Sequence, residues 1–246
     1  MSSIPNSMQK VPNNVVEIKR KHPFLTFLIG VGIIVFLAYG GLHFFLVERT
    51  EKLIQKNEEL SLDITNLKLF QEQSARLLRL EQVLLSSAYI KEQIGQDNIA
   101  QFAFKILTTA DMYKEDGLTP ALLLGLIEVE SNFQTRIISE SGAYGLMQVM
   151  RSTATPYLRA RNREWSDVIM FDPMVNITIG TDVLIDMHRM FIARGMEKKD
   201  EWTLSLICYN RGEGAVRDAI NRKNPLYLDY AVKVKMAARK WDALGL

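Results

Sequence analysis

The residues whose types and spacing could do chemistry begin at Glu130, inside "GLIEVESNFQTRIISESGAYGLMQVM", residues 125–150. The preceding "GLTP" makes Thr119 an N-cap and puts Pro120 in the first helical position, so a helix is predicted over "ALLLGLIEVESN". At about 100° per residue, Leu122, Leu123, Leu126, Ile127 and Val129 share one broad apolar face. Glu130 falls near the middle of that face, whereas Glu128 projects from the other side with Ala121 and Gly125. Desolvation of a carboxyl at such a place raises its pKa from about 4.3 towards neutrality. A carboxylic acid still protonated there can donate a proton to a leaving group. The helix by itself leaves two readings of Glu130 level: this proton donor, or a carboxylate paired with an Arg or Lys inside the fold.

Three neighbouring features favour the donor. Gly142 and Gly145 in "SESGAYGLMQVM" permit tight turns and a close approach of backbone to ligand. Gln148, expected on the helix that follows, offers both a donor and an acceptor, which suits an acetamido or hydroxyl group. Further on, the hydrophobic run of "SLICYNRGEGAV" delivers Tyr209 and Asn210 just ahead of Gly212 and Gly214.

In order and spacing, Glu130-Ser131 with Phe133, "SESGAYGLMQVMRSTA", "DPMVNITIG" over 172–180, "CYNRGEGAV" and Tyr230 in "YAVKV" resemble the SLT-type lytic transglycosylase domain, over about residues 101 to 246. The resemblance implies a goose-lysozyme-like fold and cleavage of peptidoglycan. It makes Glu130 the catalytic acid, with Ser131 touching the acid region or the sugar. Met147 and Gln148 would line the sugar cleft, Tyr209 and Asn210 would lie near the scissile bond, and Tyr230 would close over the acid. Asp172-Pro173, Asn176 and Gly180 match a segment expected to be scaffold. The chain departs from the family pattern at Cys208, where Ala is usual, at Arg211, where a small residue is common, and at Arg151, which replaces a frequent Pro. Cys208 reads as a small buried hydrophobe, and Arg211 bears on substrate preference. The implied reaction cleaves the MurNAc–GlcNAc β-1,4 bond to a 1,6-anhydromuramoyl product, with one glutamate as acid and then base. A lysozyme-like hydrolase would need a second carboxylate, for which Glu140 and Asp111 are the candidates. The non-enzymatic alternative is an inactive, membrane-anchored scaffold that binds peptidoglycan.

The elements that must position these residues begin at the other end of the chain. Phe24 to Val47 carry no formal charge, and about 20 apolar residues suffice for a bilayer-spanning helix. A cleaved signal peptide would have a shorter apolar core and a small-residue cleavage motif, which "HFFLVERTEK" lacks. Lys10, Lys19, Arg20 and Lys21 precede the segment against Glu17 alone, so the positive-inside rule leaves the N-terminus in the cytoplasm. The expected organisation is a disordered cytoplasmic tail over 1–22, a transmembrane helix over 23–47, a helical stalk over 48–98 and the catalytic domain over 99–246. That places a single-pass protein in the bacterial inner membrane with its catalytic domain in the periplasm.

The stalk has no Pro and no Gly before Gly95. Leu53, Leu60, Ile64 and Leu67 fit one a/d seam, and Phe70, Leu77, Leu80 and Leu84 fit another out of phase with it, as in a coiled coil with a stutter. A homodimer is expected from that seam, the alternative being one amphipathic helix laid against the next domain or the membrane. Fifty helical residues would reach about 75 Å. The fold class is mainly α, a lysozyme-like domain behind an anchor and stalk, with no strand-type alternation after Asn98. Net charge is +2, from 30 basic and 28 acidic residues, which supplies no basis for nucleic-acid binding. One cysteine excludes an internal disulfide, and with only His22, His43 and His188 beside it no His/Cys zinc site is expected. No cofactor and no metal is expected.

Overall fold

The computed structural model describes residues 23–198, 201–221 and 228–245. The expected tail, 1–22, lies outside the described residues. The chain divides into two units, Met1–Leu67 and Lys68–Leu246. A single helix, α1 (Pro23–Ser86), runs through the division. Its continuity follows from a stretch after Gly41 that holds no residue able to break it. In the first unit the apolar side chains of α1 are exposed, including Leu53, Leu60, Ile64 and Leu67. The helix is long and apolar enough near its N-terminus to cross a membrane.

The second unit is mainly α. Leu80 and Leu84 of α1 are fully buried and Leu77 packs beside them, all within this unit's own core. Phe70, the first residue of the second seam, is exposed, and from Leu77 onward the apolar stripe serves the domain's core. Ser87 interrupts the helix by accepting a hydrogen bond from Ile90 N (3.2 Å), which caps α2 (Ala88–Ile94). Next comes α3 (Ile99–Met112), which buries Phe102, Ala103 and Ile106. Arg76 of α1 pairs with Asp111 of α3 at 3.1 Å, so one of the two carboxylates named for a hydrolase is engaged away from Glu130.

Helix α4 (Pro120–Ser131) starts where expected: Thr119 accepts from Leu122 N at 3.1 Å and Pro120 follows. It is not the one-faced helix that the periodicity suggests, because every residue from Pro120 to Ile127 is buried. The face with Ala121 and Gly125 is covered by α10 (Asp229–Asp242). A Cβ on Gly125 would stand 2.5 Å from Ala238 N, so glycine sets how closely these two helices approach. Glu128, on that side, accepts from Trp241 Nε1 at 2.7 Å.

The remaining elements are β1 (Ala143–Tyr144), β2 (Val149–Met150), α5 (Arg151–Arg159), α6 (Asp167–Phe171), α7 (Pro173–Ala193), α8 (Thr203–Arg211) and α9 (Glu213–Asn221). The two strands pair antiparallel, Ala143 with Met150 and Tyr144 with Val149. At two residues each they are too short to leave an alternating pattern in sequence. Asp172 caps α7, accepting from Met174 N (2.8 Å) and Val175 N (3.2 Å), with Pro173 at its first position.

Helix α8, which carries Tyr209 and Asn210, is tied at its start by a buried polar knot. Glu197 accepts from Leu204 N (2.5 Å) and Ser205 N (3.2 Å) and from the Ser205 hydroxyl. His188 Nδ1 lies 2.8 Å from Ser205 Oγ and 3.1 Å from Glu197 Oε2, with its ring stacked on Trp202 at 3.6 Å. Burial pushes the Glu197 pKa up, but these hydrogen bonds and His188 outweigh it and leave the carboxyl below its ordinary value. Cys208 is fully buried in α8, where burial pushes its thiol up to about 11.

Candidate active site

Glu130 sits in the last turn of α4, partly buried. Its Oε1 accepts a hydrogen bond from the Tyr230 hydroxyl on the first turn of α10, so the close α4–α10 approach delivers the phenol to the acid. Burial raises the carboxyl from 4.5 to about 7, against the pull of the Tyr230 hydrogen bond, which favours the ionised form. Tyr230 is pushed well above its ordinary value by burial and by the Glu130 charge, so it remains a donor. Among the described residues Glu130 has no ion-pair partner. Of the two readings that the helix alone leaves level, the ion pair finds no support among these residues.

Tyr209 stands near the same carboxyl. Burial first, and the Glu130 charge second, hold its phenol well above the ordinary value. Its hydroxyl donates to the Met147 carbonyl at 2.7 Å. Gly180 of α7 makes room for this contact, since a Cβ there would lie 2.7 Å from Met147 Cβ and 3.0 Å from Tyr209 Oη. Met147 itself is fully buried.

Gln148 is not on a helix. It occupies the turn between β1 and β2 with φ +50°, and its Nε2 donates to Gly145 O at 2.8 Å. The apolar residues after Gly145 read as the start of a helix, but the chain first pairs the two short strands and begins α5 only at Arg151. The turn is pinned from below by the fully buried Asn176. Its Oδ1 accepts from Met147 N at 2.7 Å, and its Nδ2 donates to Tyr144 O and Met170 O, both at 2.9 Å. Sequence reasoning filed Asn176 as scaffold; that it holds the turn bearing Met147 and Gln148 depends on a partner 29 residues away.

Ser131 is buried and its hydroxyl donates to Ile127 O at 3.2 Å, within its own helix. Asn210 is exposed. Gln148, Tyr209 and Asn210 line a common cavity of about 270 Å³. Glu140 lies exposed in the turn before β1. The His188–Glu197–Ser205 knot escaped sequence reasoning, because nothing in the spacing of these three residues marks them as neighbours.

Residues 109–227, just under half of the chain, match the family model of the Transglycosylase SLT domain. The match stops short of Tyr230. Curated relatives include the membrane-bound lytic murein transglycosylase C of Actinobacillus pleuropneumoniae serotype 5b (strain L20), 31% identical over 138 residues that make up 52% of this chain and 38% of that protein. The protein of the same name from Mannheimia succiniciproducens is 35% identical over 104 residues, 41% of this chain and 29% of that one. The chain thus spans well under half the length of these curated relatives. Among solved structures, an inactive mutant of the lytic transglycosylase Slt from Pseudomonas aeruginosa aligns with a TM-score of 0.42 and 23% identity, over 64% of this chain and 26% of that one.

Proposed function

We propose that this chain is a peptidoglycan lytic transglycosylase held at a membrane by its N-terminal helix. One observation carries the reading: Glu130 is a partly buried carboxyl raised to about 7, hydrogen-bonded by a neutral tyrosine and without an ion-pair partner among the described residues. Near neutral pH such a group exists in both protonation states and can give and then retrieve a proton. Protonated Glu130 donates to the glycosidic oxygen between N-acetylmuramic acid and N-acetylglucosamine, and the C1–O bond breaks. The acetamido group of the muramoyl sugar stabilises the oxocarbenium-like centre. The Glu130 carboxylate then accepts the proton of the muramoyl O6 hydroxyl as O6 closes on C1. One bond breaks and one forms, a proton moves from O6 to the leaving oxygen through Glu130, and no water is consumed. A single carboxyl serves both steps. Asp111, engaged with Arg76, and Glu140, exposed on its turn, give a hydrolase no better footing.

The names of the curated relatives, membrane-bound lytic murein transglycosylases, agree with this reading. In it, α1 crosses the bacterial inner membrane once, the N-terminus is cytoplasmic and the SLT domain faces the periplasm. The exposed Leu53, Leu60, Ile64 and Leu67 form the seam of a homodimeric coiled coil, which crosslinking of the full chain tests: monomer alone sinks the dimer. The enzymatic test is digestion of purified sacculi by the full chain in detergent, with products identified by mass. The expected ends are 1,6-anhydromuramoyl, and the expected loss in Glu130→Gln is at least about 10²-fold. Reducing ends would mean a hydrolase, and an undiminished Glu130→Gln would remove the catalytic assignment.

A further inference from the structure

Another cavity, of about 470 Å³, is lined in part by the loop that follows the acid, and the reaction gives it no role. Its apolar members include Phe102 of α3, fully buried, and Phe171 and Met174, half-buried at the end of α6 and the start of α7. Arg136, from the loop after α4, and Asp172, the cap of α7, are exposed and are the only formal charges among the described residues lining it. They form no ion pair with each other, and Arg136 enters no ion pair or hydrogen bond among the described residues. Asp172 uses Oδ1 to accept from Met174 N and Val175 N, which leaves Oδ2 without a partner among those residues. The side-chain amide of Gln101, exposed on α3, is likewise unpaired there. The cavity is joined to the acid through its floor. Phe133, three residues beyond Glu130, meets the ring of Phe102 edge to face, with centroids 6.3 Å apart. Arg136 lies six residues beyond Glu130, so the chain holds their Cα atoms within about 22 Å of each other.

A cation and an anion held apart over an apolar floor suit a ligand that carries both charges on an apolar frame. The sugar rings of a glycan strand are neutral. The peptide borne by the muramoyl sugar has free carboxylates, an amine on its cross-linking residue and apolar side chains, and four or five of its residues span about 13–18 Å. A guanidinium meets both oxygens of a carboxylate with its planar fork of donors. We infer that this cavity binds the peptide stem of peptidoglycan, with Arg136 on a carboxylate, Asp172 on the amine and the Phe102, Phe171 and Met174 floor under the apolar side chains. Gln101 supplies a donor and an acceptor for the peptide's own amides. The inference rests on the transglycosylase reading for its substrate class.

Binding without turnover tests it. The full chain carrying Glu130→Gln, in detergent, is titrated with the disaccharide peptide that a muramidase releases from sacculi. The comparison probes are that compound with its amine acetylated, that compound with its carboxylates amidated, and the disaccharide stripped of peptide by an amidase. Adding Arg136→Ala weakens binding of the unmodified compound about tenfold, between the value of an exposed ion pair and that of a bidentate one. It leaves binding of the amidated compound unchanged. Adding Asp172→Asn, which keeps a capping oxygen for α7 and removes the charge, weakens binding of the unmodified compound and leaves that of the acetylated one unchanged. Neither substitution alters binding of the stripped disaccharide. Losses that persist on the modified compounds, no loss with either substitution, or no binding of the disaccharide peptide overturns the inference. Equal losses on the stripped disaccharide assign the cavity to sugar and overturn it as well. A chain that shows the crossed pattern but, with Glu130 intact, releases no anhydro ends from sacculi overturns the catalytic reading and leaves the peptide site standing. Anhydro ends released by a chain without that pattern do the reverse.

Discussion

Replacing Tyr230 with Phe removes one hydroxyl and with it the only hydrogen bond that Glu130 receives among the described residues. That bond stabilises the carboxylate, so its loss must raise the pKa of Glu130 above the present value of about 7. A hydrogen bond to a charged group contributes about 1.5–3 kcal/mol, and each pKa unit corresponds to about 1.4 kcal/mol. The full effect would be about one to two units, and the partial exposure of Glu130 puts the expectation at the lower end, near one. On the proposed mechanism, Glu130 as the acid then stays protonated to higher pH, and the alkaline limb of the rate profile moves up by about one unit. The assay is the initial rate of release of 1,6-anhydromuramoyl ends from sacculi between pH 5 and pH 9, for wild type and Tyr230→Phe. A tyrosine that only packed α10 against α4 would lower the rate at every pH and leave the limb in place. An unmoved limb, or one displaced to lower pH, refutes the electrostatic coupling between Tyr230 and Glu130.

Other outcomes follow from the same contacts. Because the folded pKa of Glu130 exceeds its unfolded value, its contribution favours the fold below about 4.5 and is lost as pH rises through about 7. Glu130→Gln should therefore raise Tm at pH 8 and leave it unchanged at pH 4, with a gain of about 1–2 kcal/mol at pH 8 once solvent screening is allowed for. Asn176→Ala strips hydrogen bonds from Met147 N, Tyr144 O and Met170 O, and should cost about 3 kcal/mol or more in denaturant unfolding. Gly125→Ala places a methyl 2.5 Å from Ala238 N, which forces α10 away from α4. It should lower Tm and also move the pH limb in the direction of Tyr230→Phe, because the same displacement withdraws the phenol.

Local chemistry wrote much of the domain plainly. Thr119-Pro120 and Asp172-Pro173 start α4 and α7 as their capping chemistry requires, since a side-chain oxygen and a preset φ act within one turn. Gln148 was misplaced because "GLMQVM" has helix-like apolarity, whereas the turn it adopts depends on Asn176 reaching up from α7. Likewise the one-faced reading of α4 failed at Ala121 and Gly125, small residues that look solvent-facing until α10 packs on them. The second stalk seam reads as a coiled coil until Leu80 and Leu84 are seen to fill the domain's own core.

By itself the sequence determined that a carboxyl stands on an apolar helix and that an apolar segment long enough to span a bilayer precedes it. These properties reside in composition, periodicity and spacing along the chain. Only the tertiary structure decided that Glu130 lacks an ion-pair partner among the described residues and takes its hydrogen bond from Tyr230, 100 residues away. Only it brought Gln148, Tyr209, Asn210 and Arg211 to one cavity. Desolvation and hydrogen bonding act over a few ångströms in space, so they depend on which distant segments fold against the acid.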